Sequence, residues 1–364
     1  MRRDLLDLIR VFGRLGLTAF GGPAAHIAMM HREIVERRGW LDEGQFMDMV
    51  GVTNIIPGPS STEMAMQIGR LRAGWKGLVT SGLSFILPAA LIVLGFAWAY
   101  VRYGRTPGGE AVLYGIKPVV LMVVVHAVIK LAGAVLRQPI LWITAVGAVI
   151  AYLIGWHELG ILALGAILVF VTRQMTTGGF TSPLFLMVAP VGTDDLGRIF
   201  GVFLKVGAVL FGSGYVLLAF LERDLVDRLG LITQQQLLDA IAVGQFTPGP
   251  VFTTATFVGY LIADLPGAAL ATIGIFLPSF LLVALVAPLA VRARQLPVAA
   301  ALLDGVNAAS LGLMAAVTLV LSRTAIVDVF TAAMGFIAAL LLWRTKVNSA
   351  WLVIGAGALG LLTQ

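Results

Sequence analysis

The chain has 364 residues, of which 59% are hydrophobic and only 12% are charged, and its mean hydropathy is +0.95. A soluble domain carries about 25% charged residues, so a water-soluble fold could not bury this much apolar surface. The formal net charge of +6 comes from basic residues dispersed between apolar segments, which argues against a nucleic-acid partner. The absence of cysteine excludes disulfides, iron–sulfur clusters and thiolate metal sites, and no cofactor is expected. The composition therefore predicts an all-α polytopic membrane protein embedded in a lipid bilayer.

Apolar segments follow one another along the chain, many of them near the length of about 20 residues that a spanning helix needs. In chain order they cover residues 7–30, 45–70, 77–101, 112–136, 139–155, 158–172, 197–221, 236–262, 265–291, 297–321, 325–343 and 348–363. The least hydrophobic connection joins the sixth and seventh segments. The predicted organisation is therefore an N-terminal transport half over 1–172, a linker over 173–196 and a C-terminal transport half over 197–364.

The second half repeats the first with an offset of 191 residues. Aromatic, glycine and charged positions coincide, as in the pairs Phe12/Phe203, Arg14/Lys205, Gly16/Gly207, Glu33/Asp224, Arg37/Arg228 and Asp48/Asp239. The Pro-Gly-Pro motif at 57–59 falls on Pro-Gly-Pro at 248–250, and after one deletion the offset becomes 190. A nearly ungapped register over about a hundred residues is not a chance match, and repeats with helix interruptions at matching places are typical of secondary transporters.

The two Pro-Gly-Pro motifs interrupt their helices. In lipid every freed backbone group needs a partner inside the protein, so such a break is tolerated only where it lines a cavity or packs against protein. A helix that starts just after each motif would offer free amides that attract an anion. The predicted substrate site lies between the breaks and includes Pro57, Gly58, Pro59, Ser60, Ser61, Thr62, Pro248, Gly249, Pro250 and Thr253. The alternative is that both motifs only kink a helix at a packing joint.

Each half also opens with a second weak point, "FGGP" at 20–23 and "FGSG" at 211–214. These residues break a helix beside the substrate or, alternatively, allow close helix packing. The substrate-site candidates from this region are Phe20, Gly21, Gly22, Gly212 and Ser213. The matched amides Asn54 and Gln245 precede the two breaks and would donate to an oxyanion or cap freed carbonyls.

Charged residues inside the apolar segments are the remaining candidates. Arg14 and Lys205 share one position in the repeat and would compensate the charge of a dianion, unless each only extends to the membrane surface. Lys117 is a third candidate cation. For proton coupling we consider Glu63, in the first turn after the first break, and His126. The alternatives are a helix-capping role for Glu63 and a packing role for His126.

The distribution of basic residues favours halves of opposite orientation. If both Pro-Gly-Pro segments span the membrane, the basic loops around Arg37 and Arg72 lie on opposite sides and the charge bias nearly vanishes. If both segments are re-entrant, these loops share one side, the positive-inside rule is obeyed better and the halves are inverted repeats. That arrangement places the basic N-terminus on the other side, unless the first segment is itself re-entrant.

Motifs in a fixed order carry a family resemblance. The stretches "FGGP", "HREIVERRGWLDEGQF", "PGPSSTEMAMQIG", "FGSGY" and "FTPGP" resemble the chromate ion transporter (CHR) family, in its long two-domain ChrA type. The resemblance implies a multi-pass protein of the bacterial inner membrane that exports chromate by proton antiport and confers chromate resistance. The expected partners are chromate or a similar oxyanion, protons, lipid and a second copy of the chain. A transporter of another oxyanion, such as sulfate, is the main alternative.

Two other function classes are less favoured. An intramembrane metalloenzyme would need a pattern such as HExxH, which the four histidines do not form. A copper transporter would use thioethers, and four methionines flank the first break. The second copy does not repeat them, although it keeps the proline motif.

Overall fold

The computed structural model describes residues 2–20, 22–53, 56–177, 195–210, 216–285, 297–345 and 347–363, and these ranges contain helices and no β-strand. The first half contains α1 (Arg2–Thr18), α2 (Gly22–His31), a π-helical turn (Arg32–Arg37), α3 (Glu43–Thr53), α4 (Ser60–Tyr103), α5 (Pro107–Val135), α6 (Pro139–Leu153) and α7 (Glu158–Thr177). The second half contains α8 (Asp195–Val209), α9 (Leu217–Leu221), a π-helical turn (Glu222–Arg228), α10 (Gln234–Phe246), a 3-10 turn (Val251–Thr253), α11 (Thr254–Leu285), α12 (Pro297–Ala325), α13 (Val329–Arg344) and α14 (Ser349–Thr363).

Several helices are suited to crossing a membrane. By length and composition, the described residues include five such stretches: Ser60–Tyr103, Pro107–Val135, Glu158–Met175, Val251–Leu285 and Val298–Ala325. The apolar helices α6, α13 and α14 are shorter. The prediction of an all-α polytopic membrane protein is confirmed.

The helix α4 is a hairpin rather than one straight rod. Ala73 and Gly74 leave the helical torsion range, and Gly74 has a φ of +59°. A methyl group on Gly69 would collide with the carbonyl of Gly77, although eight residues along a straight helix are about 12 Å apart. The chain therefore turns back at the bend and forms a short arm over 60–72 and a long arm over 75–103.

The helix α11 repeats this hairpin at the equivalent positions. Ala263 and Asp264 take the torsions of Ala73 and Gly74, and Asp264 has a φ of +48°, which is rare for a residue other than glycine. Gly259 and Gly267 approach each other as closely as their counterparts do in α4. The two halves therefore share a backbone design, and the prediction of two homologous halves is confirmed.

The outer helices of the two halves are exchanged. The helices α6 and α7 of the first half pack against α12, whereas α13 and α14 of the second half pack against α5. The two hairpins α4 and α11 pack against each other between them. Glycine allows these close crossings, since a methyl group on Gly115 would strike the backbone of Ala356, and one on Gly312 the backbone of Ala145.

Three residues far apart in sequence meet at one end of the bundle. The Arg72 guanidinium lies 3.5 Å from the Asp4 carboxylate and stacks 4.4 Å over the Trp40 ring. We call this region the Trp40 end. The start of α1, the connection between α2 and α3, and the bend of α4 thus lie together.

A second cluster of contacts joins α10 and the π-helical turn of the second half to α4 and α6 of the first. Glu222 accepts hydrogen bonds from Tyr152, at the end of α6, and from Gln234, at the start of α10. Tyr100, near the far end of the long arm of α4, donates a 2.8 Å hydrogen bond to Asp239 of α10. We call this region the Tyr152 end.

The hairpin bend yields a prediction about stability. Gly77→Ala is expected to destabilise the protein by about 1–3 kcal/mol, because the new methyl group would overlap the Gly69 carbonyl and force the arms apart. Gly95→Ala is the matched control, since nothing lies within 4 Å of that position on the long arm. Thermal unfolding in a mild detergent measures both. Equal midpoints for the two variants would show that the arms are not closed at Gly77.

Candidate functional site

The two helix breaks are bonded to opposite halves. The Gly58 amide donates a 2.8 Å hydrogen bond to the carbonyl of Leu210, which follows α8. The Gly249 amide donates an equal bond to the carbonyl of Ala19, which follows α1. Because these are equivalent positions in the repeat, the contact is reciprocal, as in a two-fold symmetric interface. Each Pro-Gly-Pro motif therefore meets the end of the first helix of the other half.

Glycine is required at the centre of both motifs. Gly58 has a φ of +138° and Gly249 one of +90°, values that other residues rarely adopt. A methyl group on Gly58 would collide with the Ser279 hydroxyl and the Glu63 carboxyl, whereas one on Gly249 would collide with the Ala89 methyl group. Ser279 and Ala89 are repeat counterparts, so the surroundings of the first break are polar and those of the second apolar.

Several buried polar groups at the first break lack a hydrogen-bond partner among the residues that the structure describes. Glu63 is fully buried, and neither of its carboxyl oxygens has a hydrogen-bond partner of good geometry among the described residues. The hydroxyl of Thr62 and the amide nitrogen of Gln67 are buried and unpartnered in the same part of the chain. Native proteins leave few such groups without a functional reason. The capping role considered for Glu63 is not seen.

The amides after the breaks are only partly free. The Thr62 and Glu63 amides donate to the Pro59 carbonyl at 2.8 and 3.0 Å, and the Thr253 amide donates to the Pro250 carbonyl at 3.0 Å. The expectation of a free amide is therefore wrong for Thr62 and Thr253, because the first turn closes tightly. The amides of Ser60 and Ser61 have no acceptor within the described part of the chain.

The cations Arg14 and Lys205 are already paired with carboxylates. Arg14 lies 2.6 Å from Glu33, and Lys205 contacts both Asp224 and, at 2.8 Å, Glu158. The Arg14 side chain is 52% exposed and that of Lys205 only 8%. The use of these two side chains as substrate cations stays a prediction. The structure shows in addition that both form ion pairs with carboxylates, which the sequence spacing did not indicate.

Lys117 belongs to a buried polar cluster between the halves. Its ammonium group lies 3.9 Å from the Asp239 carboxylate, whose other oxygen accepts the Tyr100 hydrogen bond. Asp239 is fully buried, whereas its counterpart Asp48 is exposed. The difference arises because α5 and the long arm of α4 cover this part of α10.

The other candidates occupy varied positions. Phe20 is 37% exposed, and Gly22 starts α2 with a φ of +79°. Gln245 is buried in the last turn of α10, and His126 is half-buried on α5. The candidates outside the described residues are Gly21, Asn54, Gly212 and Ser213.

Two residues of the site were missed by sequence reasoning. His26 is buried, and its Nε2 lies 3.0 Å from the Ala19 carbonyl that also binds Gly249. Ser279 faces the first break. The repeat carried a signal for Ser279, because a hydroxyl there replaces the Ala89 methyl group beside a shared proline. No pattern indicated the role of His26, because Leu217 replaces it in the second copy.

Comparisons with known proteins agree with the repeat. A family model described as "Chromate transporter" matches twice, over residues 6–170 and 197–361. A chromate transport protein of Cupriavidus metallidurans is 34% identical over 98% of this chain and 93% of its own length. A probable chromate transport protein of Synechococcus elongatus is 33% identical over 94% and 90%, and a chromate transport protein of Pseudomonas aeruginosa 30% over 98% and 92%. No solved structure gives a significant match.

The buried cluster yields a second prediction. Lys117→Gln is expected to lower the free energy of unfolding by roughly 3 kcal/mol, because it leaves the Asp239 carboxylate buried without a cation. The double variant with Asp239→Asn should recover most of this loss, since both groups are then neutral. Lys130→Gln, an exposed position on the same helix, is the control. Thermal unfolding in detergent measures all three, and equal midpoints for the two single lysine variants would contradict the pairing.

Proposed function

This chain belongs to the chromate transporter family, and from that membership we propose that it exports chromate across the bacterial inner membrane in exchange for protons. The family is one of transporters, and the five long apolar helices among the described residues support a multi-pass membrane protein. The reciprocal contact of each break with the end of the first helix of the other half is the observation that supports transport most directly. Broken helices that meet at a repeat interface form the substrate sites of many secondary transporters.

The oxyanion is proposed to bind beside the first break. The Ser60 and Ser61 amides lie at a helix N-terminus, where the helix dipole favours an anion. One half-helix end supplies about half a positive charge, so a dianion needs further positive charge from cationic side chains. The candidate cations are Lys117, Arg14 and Lys205, each of which also lies beside a carboxylate of the chain.

Glu63 is the proposed proton carrier. Its carboxyl group is buried against Gly58 beside the Ser279 hydroxyl, and burial makes an ionised carboxylate costly there. The same negative charge would repel a bound dianion, so anion binding and proton binding become linked. The counterpart of Glu63 is Thr254, which does not titrate, so this coupling resides in the first half alone. His126 is retained as a second candidate.

The halves are proposed to be inverted in the membrane, each with re-entrant segments. The Trp40 end brings together Asp4, Trp40 and Arg72. This supports two hairpins in the first half that start and finish at this end, one that turns at Ala19 and one that turns at the first break. The long arm of α4 then leads to the Tyr152 end, where the second-half hairpins start. The N-terminus joins the basic loops at the Trp40 end, which favours this end as cytoplasmic.

Site-directed labelling tests this topology. The chain contains no cysteine, so single cysteines can be placed at the matched, exposed positions Gly44 and Gln235, at the starts of α3 and α10. In inverted halves these residues lie on opposite sides of the membrane. A membrane-impermeant maleimide should therefore label Gln235→Cys in intact cells and Gly44→Cys only in inverted vesicles. Labelling of both variants from the same side would refute the inverted arrangement.

A transport assay tests the proposed proton carrier. Wild-type inverted vesicles should accumulate chromate when a proton gradient is imposed, and an ionophore that collapses the gradient should abolish accumulation. Glu63→Gln should lower gradient-driven uptake by about tenfold or more, because its amide cannot carry a proton. Its counterpart in the other half, Thr254→Val, should retain uptake.

The protein level in the same membranes controls for expression. Full gradient dependence in Glu63→Gln vesicles would exclude Glu63 as the carrier. Sulfate that competes with chromate at equal concentration would shift the substrate assignment toward a general oxyanion transporter.

A further inference from the structure

An open cavity of about 760 Å³ lies in the first half beside Arg14. It is formed between α1, α2 and the π-helical turn that follows α2. Its polar lining comprises Thr18, His31, Arg14, Arg32, Arg37, Glu33 and Glu36, so it holds three arginines and a histidine against two glutamates. This cavity is distinct from the site at the breaks, although Thr18 adjoins Ala19, whose carbonyl binds the second break.

Positive charge is in surplus around this cavity. Glu33 accepts hydrogen bonds from three arginines: Arg14 at 2.6 Å, Arg37 at 3.4 Å and Arg38 at 2.9 Å. Burial raises the pKa of Glu33, but the hydrogen bonds from Arg38 and Arg14 outweigh it and hold that pKa below its usual value. Glu33 is therefore a carboxylate shared among three guanidinium groups. Arg32, which is exposed, has no partner among the described residues.

The second glutamate in the lining does not remove this surplus. Glu36 lies 3.4 Å from His31, which also lies 2.6 Å from Glu43. The hydrogen bond to Glu43 raises the pKa of His31, and among the described residues both glutamates contact this imidazole rather than an arginine. Arg32 and the arginines around Glu33 remain available to an incoming anion.

The second half contains the same arrangement in a filled form. The end of α6, the turn that follows it and the first residue of α7 contact three charged residues there. The contacts are Lys205 with Glu158, Arg223 with Gly155, and Glu222 with Tyr152. The repeat counterparts of Lys205, Arg223 and Glu222 are Arg14, Arg32 and His31, which line the open cavity.

The filled copy identifies the kind of group that this arrangement binds. The Glu158 carboxylate is fully buried and lies 2.8 Å from Lys205, so an oxyanionic group occupies the site beside the counterpart of Arg14. Arg223, the counterpart of Arg32, is engaged by Gly155 and by Asp227 at 3.5 Å. In the first half no described residue supplies such a carboxylate from outside, and the cavity stays open.

We propose that the first-half cavity is a binding site for a free, small oxyanion such as sulfate or chromate, held by Arg14 and Arg32. The identity of the anion rests on the proposed function. The site would collect the anion at the Trp40 end before it reaches the breaks, and Glu158 would take the corresponding place in the other half.

A thiol reporter tests this site without transport. Thr18→Cys places a single cysteine in the cavity, and its rate of reaction with a maleimide is measured in an uncharged detergent. Sodium sulfate is the probe, because chromate oxidises thiols, and sodium chloride at equal ionic strength is the control. Sulfate should slow labelling. With Arg32→Gln added, half-protection should need about tenfold more sulfate, the loss expected for one charged hydrogen-bond donor.

Arg223→Gln is the matched control, because Asp227 and Gly155 already engage that residue. Protection should be unchanged in this variant, and Arg32→Lys should recover part of what Arg32→Gln loses. Equal protection in the Arg32→Gln and Arg223→Gln proteins would overturn the proposal. So would protection by phosphatidylglycerol in lipid nanodiscs without any sulfate effect, which would assign the cavity to a lipid headgroup.

The outcome is independent of the transport mechanism. A Glu63→Gln protein that no longer transports should still show sulfate protection of the Thr18→Cys thiol. If sulfate fails to protect the thiol in a Thr18→Cys protein that still transports chromate, the cavity site is rejected and the proposed function is unaffected.

Discussion

The fold depends on one requirement of the bilayer, that backbone groups freed by a helix break find partners within the protein. An unsatisfied amide in an apolar medium costs several kcal/mol, and each Pro-Gly-Pro motif creates such groups. Gly58 and Gly249 satisfy theirs on carbonyls of the opposite half. Neither half therefore completes its own break, and the interface between the halves is fixed where the helices are interrupted. The tight glycine contacts within both hairpins keep the breaks in that position.

A shared backbone carries different chemistry in its two copies. The bends, the central glycines and the reciprocal hydrogen bonds are common to both halves. The titratable Glu63 and the Ser279 hydroxyl gather at the first break, whereas Thr254 and Ala89 occupy the matching places at the second. Symmetry supplies the architecture, and the substitutions that break it concentrate the polar groups at one of the two breaks.

The sequence predicted the parts of the structure that the repeat preserves, namely the two halves and the helix breaks. It did not predict which helix end receives the Gly58 amide, because aligning two copies does not reveal the contacts between them. The burial of Asp239 was missed for a related reason, since the residues that cover it come from the other half. The repeat alignment matched both Arg14 and Glu33 with residues of the second half, but it did not indicate that they contact each other. Their contact requires the chain to turn back after Ala19, and spacing along one helix does not predict such a turn.

The two copies also differ in how they meet solvent, and this difference bears on transport. In the first half the arginines beside α1 line an open cavity, whereas in the second half the turn between α6 and α7 closes the equivalent space. Transporters built from repeats work by opening one approach to the central site while the other is closed. The chain therefore combines a nearly symmetric backbone with an asymmetric arrangement of its approaches. The closing group is itself a carboxylate, so the contact that seals one side uses the same electrostatics by which the open side would attract an oxyanion.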